Sequence, residues 1–135
     1  MRARRAATRW ICAGVLLLAP PAMAQAVTCT YTYGGERFEL VARPVASPYA
    51  VPAIAVGSYF KLRVVFQTQP ADLASIKIYT YADHDEGLVP IHQAAHAYPP
   101  PGKGESNHGF TGLHFVYEPL RDGELQYWCA LTEAE

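Results

Sequence analysis

The sequence predicts an all-β fold, a small antiparallel β-sandwich of about seven strands. Three observations carry that expectation. Apolar and polar side chains alternate with a period of two along most of the chain. Gly and Pro interrupt the alternation at short intervals. Two cysteines far apart in sequence, Cys29 and Cys129, remain once an N-terminal leader is set aside.

The leader is the opening "MRARRAATRWICAGVLLLAPPAMAQA". Arg2, Arg4, Arg5 and Arg9 form a positive start, Ile11 to Ala19 is a short apolar run, and Ala22-Met23-Ala24 offers a signal-peptidase motif. Residues 1–24 are therefore expected to be a signal peptide cleaved before Gln25, with residues 25–135 forming one domain. The run falls short of the roughly 20 apolar residues that span a bilayer, so a retained anchor is disfavoured. Cys12 precedes the apolar run and is expected to leave with the leader. Export points to the periplasm or beyond, where the lone cysteine pair reads as a disulfide between the first and last strands. Closing a loop of about 100 residues has a chain-entropy value of roughly 4.7 kcal/mol, an upper figure.

"TCTYTYGGERFELVA" reads as a hairpin: Cys29, Tyr31 and Tyr33 share a face, Gly34-Gly35 makes a tight primed turn, and Phe38 and Leu40 return. "RPVASPYAVPAIAVGS" places Pro44, Pro48 and Pro52 four residues apart, which marks a sheet edge or an extended connection. "YFKLRVVFQ" is the clearest strand, with Phe60, Leu62, Val64 and Phe66 on one side. "SIKIYTYAD" follows, Ile76, Ile78 and Thr80 opposing Lys77, Tyr79 and Tyr81. "LVPIHQAAHAY" is ambiguous between helix and strand. "GLHFVYEP" and "ELQYWCALTE" are the last strands, joined at "LRDG".

Tyr127 stands two residues before Cys129, the spacing of the tyrosine corner in immunoglobulin domains. The architecture therefore resembles the immunoglobulin sandwich. The first cysteine lies on the first strand, however, and too few residues follow Cys129 for another strand, so the resemblance stops at architecture.

Losing four leader arginines leaves seven basic residues against twelve acidic ones. An anionic domain without a basic patch is a poor partner for nucleic acid or anionic lipid, and no segment after the leader is apolar enough for membrane insertion.

Four of the five histidines fall between residues 91 and 114. As a helix, His92 and His96 would share a face, but Pro90 and Pro99 leave barely two turns. As a strand, their backbones lie about 13 Å apart, too far for easy joint ligation. If Ile91, Ala95 and Ala97 face the core with Leu113, Phe115 and Tyr117, then His92, His96 and His114 point outward. A hairpin closed by the 99–109 loop would then bring His114 near one of the other two, with His108 able to swing over. Such a site would suit Zn(II), Cu(II) or Ni(II), since no methionine remains after the leader and the cysteines are bonded. Set against it is a plain solvent-facing hairpin, or a pH-sensitive contact patch. "DHDEG" at 83–87 lacks the sixth-position glycine and distant glutamate of an EF-hand and reads as a solvated turn.

Ser47, Ser58, Ser75 and Ser106 occupy no nucleophile elbow, Glu118 and Glu124 flank an ordinary turn, and no phosphate or dinucleotide fingerprint is present. The expectation is a non-enzymatic binding module without a cofactor. Its partner is expected to be another envelope protein or a second copy, met at a sheet edge or on a tyrosine-rich face that includes Lys77, Tyr79, Tyr81 and Trp128. The alternative is a periplasmic metal-binding protein using His92, His96, His114 and His108.

Overall fold

The computed structural model describes residues 14–19, 24–101 and 106–134. Most of the expected leader, including Cys12 and the Ala22-Met23 part of its cleavage motif, lies outside the described residues. Residues 14–19 are exposed and carry no regular secondary structure.

Among the described residues, nine strands form two sheets. They are β1 (Ala24–Tyr33), β2 (Glu36–Ala42), β3 (Pro44–Val45), β4 (Ile54–Val56), β5 (Phe60–Gln67), β6 (Ser75–His84), β7 (Gly87–Ala97), β8 (His114–Glu118) and β9 (Gly123–Ala134). The first sheet runs β2-β1-β9-β8; the second runs β3-β5-β6-β7, with β4 also paired to β5. All pairs are antiparallel except β3 with β5. The all-β sandwich expectation holds. The strand count rises because the proline-rich stretch contributes two short edge strands, β3 and β4, with a 3-10 turn at Pro48–Ala50 between them.

The β1–β2 hairpin turns at Gly34-Gly35, both at positive φ (60° and 80°), as a two-residue primed turn requires. On β5 and β6, Phe60, Leu62, Val64, Phe66, Ile76, Ile78 and Thr80 are buried, as the period-two pattern foretold. Facing them across the sandwich are Val27, Cys29, Leu125, Tyr127 and Cys129. Burying each large apolar side chain contributes roughly 1.5–3 kcal/mol, so this layer is the main source of stability. The Cys29–Cys129 disulfide is formed and joins the directly opposed residues of the first and last strands.

Just ahead of β8, the loop from Ser106 to Leu113 runs alongside β9. Phe110 N–H donates to the Cys129 carbonyl (3.0 Å) and Cys129 N–H donates to Thr111 Oγ1 (2.8 Å). Gly109 makes that approach possible. It sits at φ 60°, and a Cβ there would lie 2.1 Å from the Cys129 carbonyl oxygen.

Two expected phases are reversed. β7 pairs with β6 alone, and β8 pairs with β9, so β7 and β8 are no hairpin; they sit in different sheets. On β7 the register slips by one between Thr80 and Tyr81, where Tyr81 opposes Pro90 and Thr80 opposes His92, leaving Ile91 as an extra residue. Straight pairing from Pro90 would have put Ile91 opposite Thr80 and His92 on the outer face. The bulge moves His92 and His96 inward, opposite Thr80 and Ile76. Pro90, which cannot donate to a ladder, sits at the slip on an edge strand. On β8 the residues opposite Tyr127, Leu125 and Gly123 are His114, Val116 and Glu118, which face inward. Phe115 and Tyr117, expected in the core, are 61% and 53% exposed.

Candidate functional site

The β7 bulge and the β8 register together create a polar seam between the sheets. His92 Nε2 lies 2.6 Å from Tyr127 Oη. Burial pushes the Tyr127 phenol well above its ordinary range, so its O–H stays on and the pair is a neutral phenol–imidazole hydrogen bond. His114 stacks on Tyr127 with ring centroids 5.0 Å apart and lies 5.4 Å from the His92 ring. Its Nε2 is 3.0 Å from the Thr111 carbonyl. His96 packs edge-on against Phe110. Burial, and secondarily the nearby His114, hold His92 and His96 below the usual histidine range, so both favour the neutral form.

His92, His96 and His114 therefore share a region, but by facing each other across the sandwich rather than along an outward hairpin. His108 does not join them. It is exposed on the other side of the first sheet, edge-on to Trp128 at 6.0 Å. Among the described residues, no three His, Cys, Asp or Glu side chains converge as metal ligands would. His92 Nε2 is engaged with a phenol and His114 Nε2 with a carbonyl, while His96 Nε2 and Thr80 Oγ1 are buried without a hydrogen-bond partner among the described residues. The tyrosine-corner resemblance also ends here, because the Tyr127 hydroxyl meets a side chain of the other sheet.

A second polar cluster escaped the sequence. Glu118, expected beside an ordinary turn, is 1% exposed. Its Oε2 accepts from Arg121 N–H (2.9 Å) and Arg121 Nε (3.2 Å), and its Oε1 from Leu120 N–H (3.3 Å) and His84 Nε2 (3.2 Å). Arg121 also donates to the carbonyls of Asp83 (3.0 Å) and Tyr59 (3.3 Å) and lies 4.2 Å over the Tyr59 ring. The "DHDEG" segment is a turn between β6 and β7, as expected, but its His84 belongs to this clamp. Every polar contact of the clamp is internal, which makes it a fastener between the strand ends.

The outer faces hold the aromatic candidates. Lys77, Tyr79 and Tyr81 lie on the outside of the second sheet; Tyr79 and Tyr81 stack at 6.4 Å, and Arg63 lies over Tyr79 at 5.1 Å. Trp128 is on the outside of the first sheet, opposite Thr30. The expected Lys77, Tyr79, Tyr81 and Trp128 face is thus two faces on opposite sides of the sandwich.

The remaining feature is the open flank where β2 borders the β3–β4 segment. A cavity of about 350 Å³ opens there, lined by Leu40, Val41, Val45, Val51, Ile54 and Val64. β2 is the terminal strand of its sheet, with Phe38 41% and Val41 49% exposed. The three other flanking edges are blunted. β7 carries Pro90 and a bulge, β8 has only five residues, and β3 and β4 have two and three among prolines. β2 runs seven residues with neither proline nor bulge. Long, unprotected edges of this kind template pairing with another strand.

Comparison with protein-family models, with curated proteins and with solved structures yields no match. The functional reading therefore rests on the chain's own residues.

Proposed function

We propose that the chain is an exported, non-enzymatic binding module of the cell envelope that takes an extended segment of a protein partner along β2. The observation that carries this reading is the unprotected β2 edge beside an apolar cavity. Strand addition supplies main-chain hydrogen bonds, and side chains of the added strand, alternating in direction, can reach the cavity through one face. The leader-like N-terminus and the disulfide support export, and the acidic balance turns the partner away from nucleic acid. A metal-binding role would draw on His92 and His114 without a third ligand of matching geometry among the described residues, so the binding reading is preferred; equilibrium dialysis against Zn(II) and Cu(II) checks that choice.

The test is site-specific photocrosslinking in intact cells, with a photoreactive residue at Val41 or at Lys77. Crosslinks at Val41, lost when Glu39 is replaced by proline, are the expected outcome, since Glu39 directs its N–H away from β1. Crosslinks confined to Lys77 would move the site to the Tyr79 and Tyr81 face, and none at Val41 would overturn the edge reading.

A further inference from the structure

Geometry narrows the occupant of β2. The pair that closes a two-residue hairpin, here Tyr33 and Glu36, exchanges hydrogen bonds, and bonded and non-bonded pairs then alternate along the ladder. Glu36, Phe38 and Leu40 thus direct their backbone groups to β1, and Arg37, Glu39 and Val41 direct theirs to the free edge. The next strands agree with this phase. Cys129 is opposite Cys29 with Cα atoms 4.0 Å apart, the close spacing of a non-bonded pair, and Cys129 turns its own N–H and C=O toward Phe110 and Thr111.

A second β2 strand pairing antiparallel about a two-fold axis must be centred on a residue, and each centre can be checked. Centring on Arg37 or on Glu39 puts like charges directly opposite. Centring on Leu40 sets Arg37 against Arg43 of the other copy, and centring on Val41 sets Phe38 against Pro44, beyond the end of the strand. Centring on Phe38 places Arg37 opposite Glu39 of the other copy, twice over. Those are the pairs whose N–H and C=O groups are free to bond. Phe38 then meets its own copy at the close, non-bonded position, and the two exposed rings cover each other. Every residue-centred register pairs 37, 39 and 41 among odd-numbered positions and so satisfies the hydrogen-bond phase; the charge pattern selects the one about Phe38.

We infer that β2 is a homodimerisation edge, pairing antiparallel with β2 of a second copy about Phe38 to join two four-stranded sheets into one. This inference rests on the edge reading above and names its partner. About Phe38, Arg37 and Glu39 of one copy are complementary in charge to Glu39 and Arg37 of the other, while Glu36 meets Leu40 of the other copy.

The test uses the exported, processed protein followed by sedimentation equilibrium over a range of concentrations. A monomer–dimer equilibrium with a midpoint on the order of 10–100 μM is expected for an interface at the small end of the range. Arg37→Glu alone and Glu39→Arg alone should each weaken association roughly tenfold or more, because each sets like charges opposite twice. The double reversal R37E/E39R restores opposite charges and should return the dimer, an outcome that a folding defect does not produce. A protein monomeric at about 1 mM overturns the inference, as does a dimer indifferent to both single reversals. If the protein is monomeric yet Val41 crosslinks to a different protein, the edge reading stands and self-pairing falls. If it is monomeric and Val41 captures nothing, both fall.

Discussion

The Nε2 atom of His92 and the phenolic oxygen of Tyr127 lie 2.6 Å apart across the gap between the two sheets. His92 is on the edge strand of one sheet and Tyr127 on an inner strand of the other, so this bond ties an edge to the core of the opposite layer. Removing the hydroxyl with Tyr127→Phe should cost about 1 kcal/mol, at the ordinary value for a neutral hydrogen bond, because partly exposed His92 can turn to water. His92→Phe in the Tyr127→Phe background should then cost less than in the wild type. A double-mutant cycle by urea unfolding checks this; additive losses would mean the bond contributes nothing.

The same seam makes stability depend on pH. His92 and His96 are held below the usual value of 6.5 by burial first and by His114 second. The groups facing them are the Tyr127 phenol from β9, His114 from β8 and the Thr80 hydroxyl from β6; the carboxylate on the inner face of β8, Glu118, is engaged with His84 and Arg121. The unfolded chain therefore binds protons on these histidines more readily than the folded one. Their contribution is complete above 6.5 and is lost as pH falls through the lower folded values. Thermal melts from about pH 8 to pH 5 should show Tm falling on the acid side, and His92→Gln with His96→Gln should flatten that slope. An equal slope in the double variant would remove these residues as its source.

The disulfide sets a larger magnitude. It closes a separation of 100 residues, for which the chain-entropy value of roughly 4.7 kcal/mol is an upper limit and 2–5 kcal/mol the usual loss. Replacing both cysteines by alanine, or adding reductant, should therefore lower Tm by well over 10 °C in a domain of this size. A melt unchanged by reductant, with the bond shown to be broken, would contradict this.

These cases show what could be read from the chain. The Gly34-Gly35 hairpin, the β5 and β6 core faces and the Cys29–Cys129 pairing are local or compositional signals, and period-two alternation carries them directly. His92 and His96 face inward because a single bulge at Ile91 inverts the phase of the rest of β7, and alternation alone gives no sign of the extra residue. Nearness in sequence also misled: β7 and β8 look like a hairpin, but the connection between them crosses to the other sheet. Glu118 has local donors in Leu120 and Arg121, but the contacts that bury the clamp come from His84, 34 positions away, and from the Asp83 and Tyr59 carbonyls, which no local pattern marks. A sheet edge is expected from the sequence, but which edge is open depends on the bulge at Ile91 and on the lengths of β3, β4 and β8, which alternation does not encode.

Glu118 supplies the sharpest test of a residue that the sequence hid. Burial pushes its carboxyl up, but the hydrogen bonds from His84, from the Arg121 backbone and side chain and from Leu120 together outweigh that and hold it below its usual value of 4.5. Its contribution to stability is therefore present above 4.5 and is lost as pH falls through the folded value, a window that begins lower than that of the histidines. Glu118→Gln keeps the volume but presents an amide N–H₂ to a set of donors, and one oxygen cannot serve both sides of the clamp. Tm at neutral pH should fall by roughly 5 °C or more, while the exposed Glu124→Gln should leave it unchanged. Below about pH 4.5 the gap between E118Q and wild type should narrow, because the wild-type carboxyl is then losing its charge as well. Arg121→Lys, which retains the charge but loses the planar fork shared among Glu118, Asp83 and Tyr59, should fall between the two. If E118Q melts with the wild type across the whole range, the clamp does not fasten the strand ends.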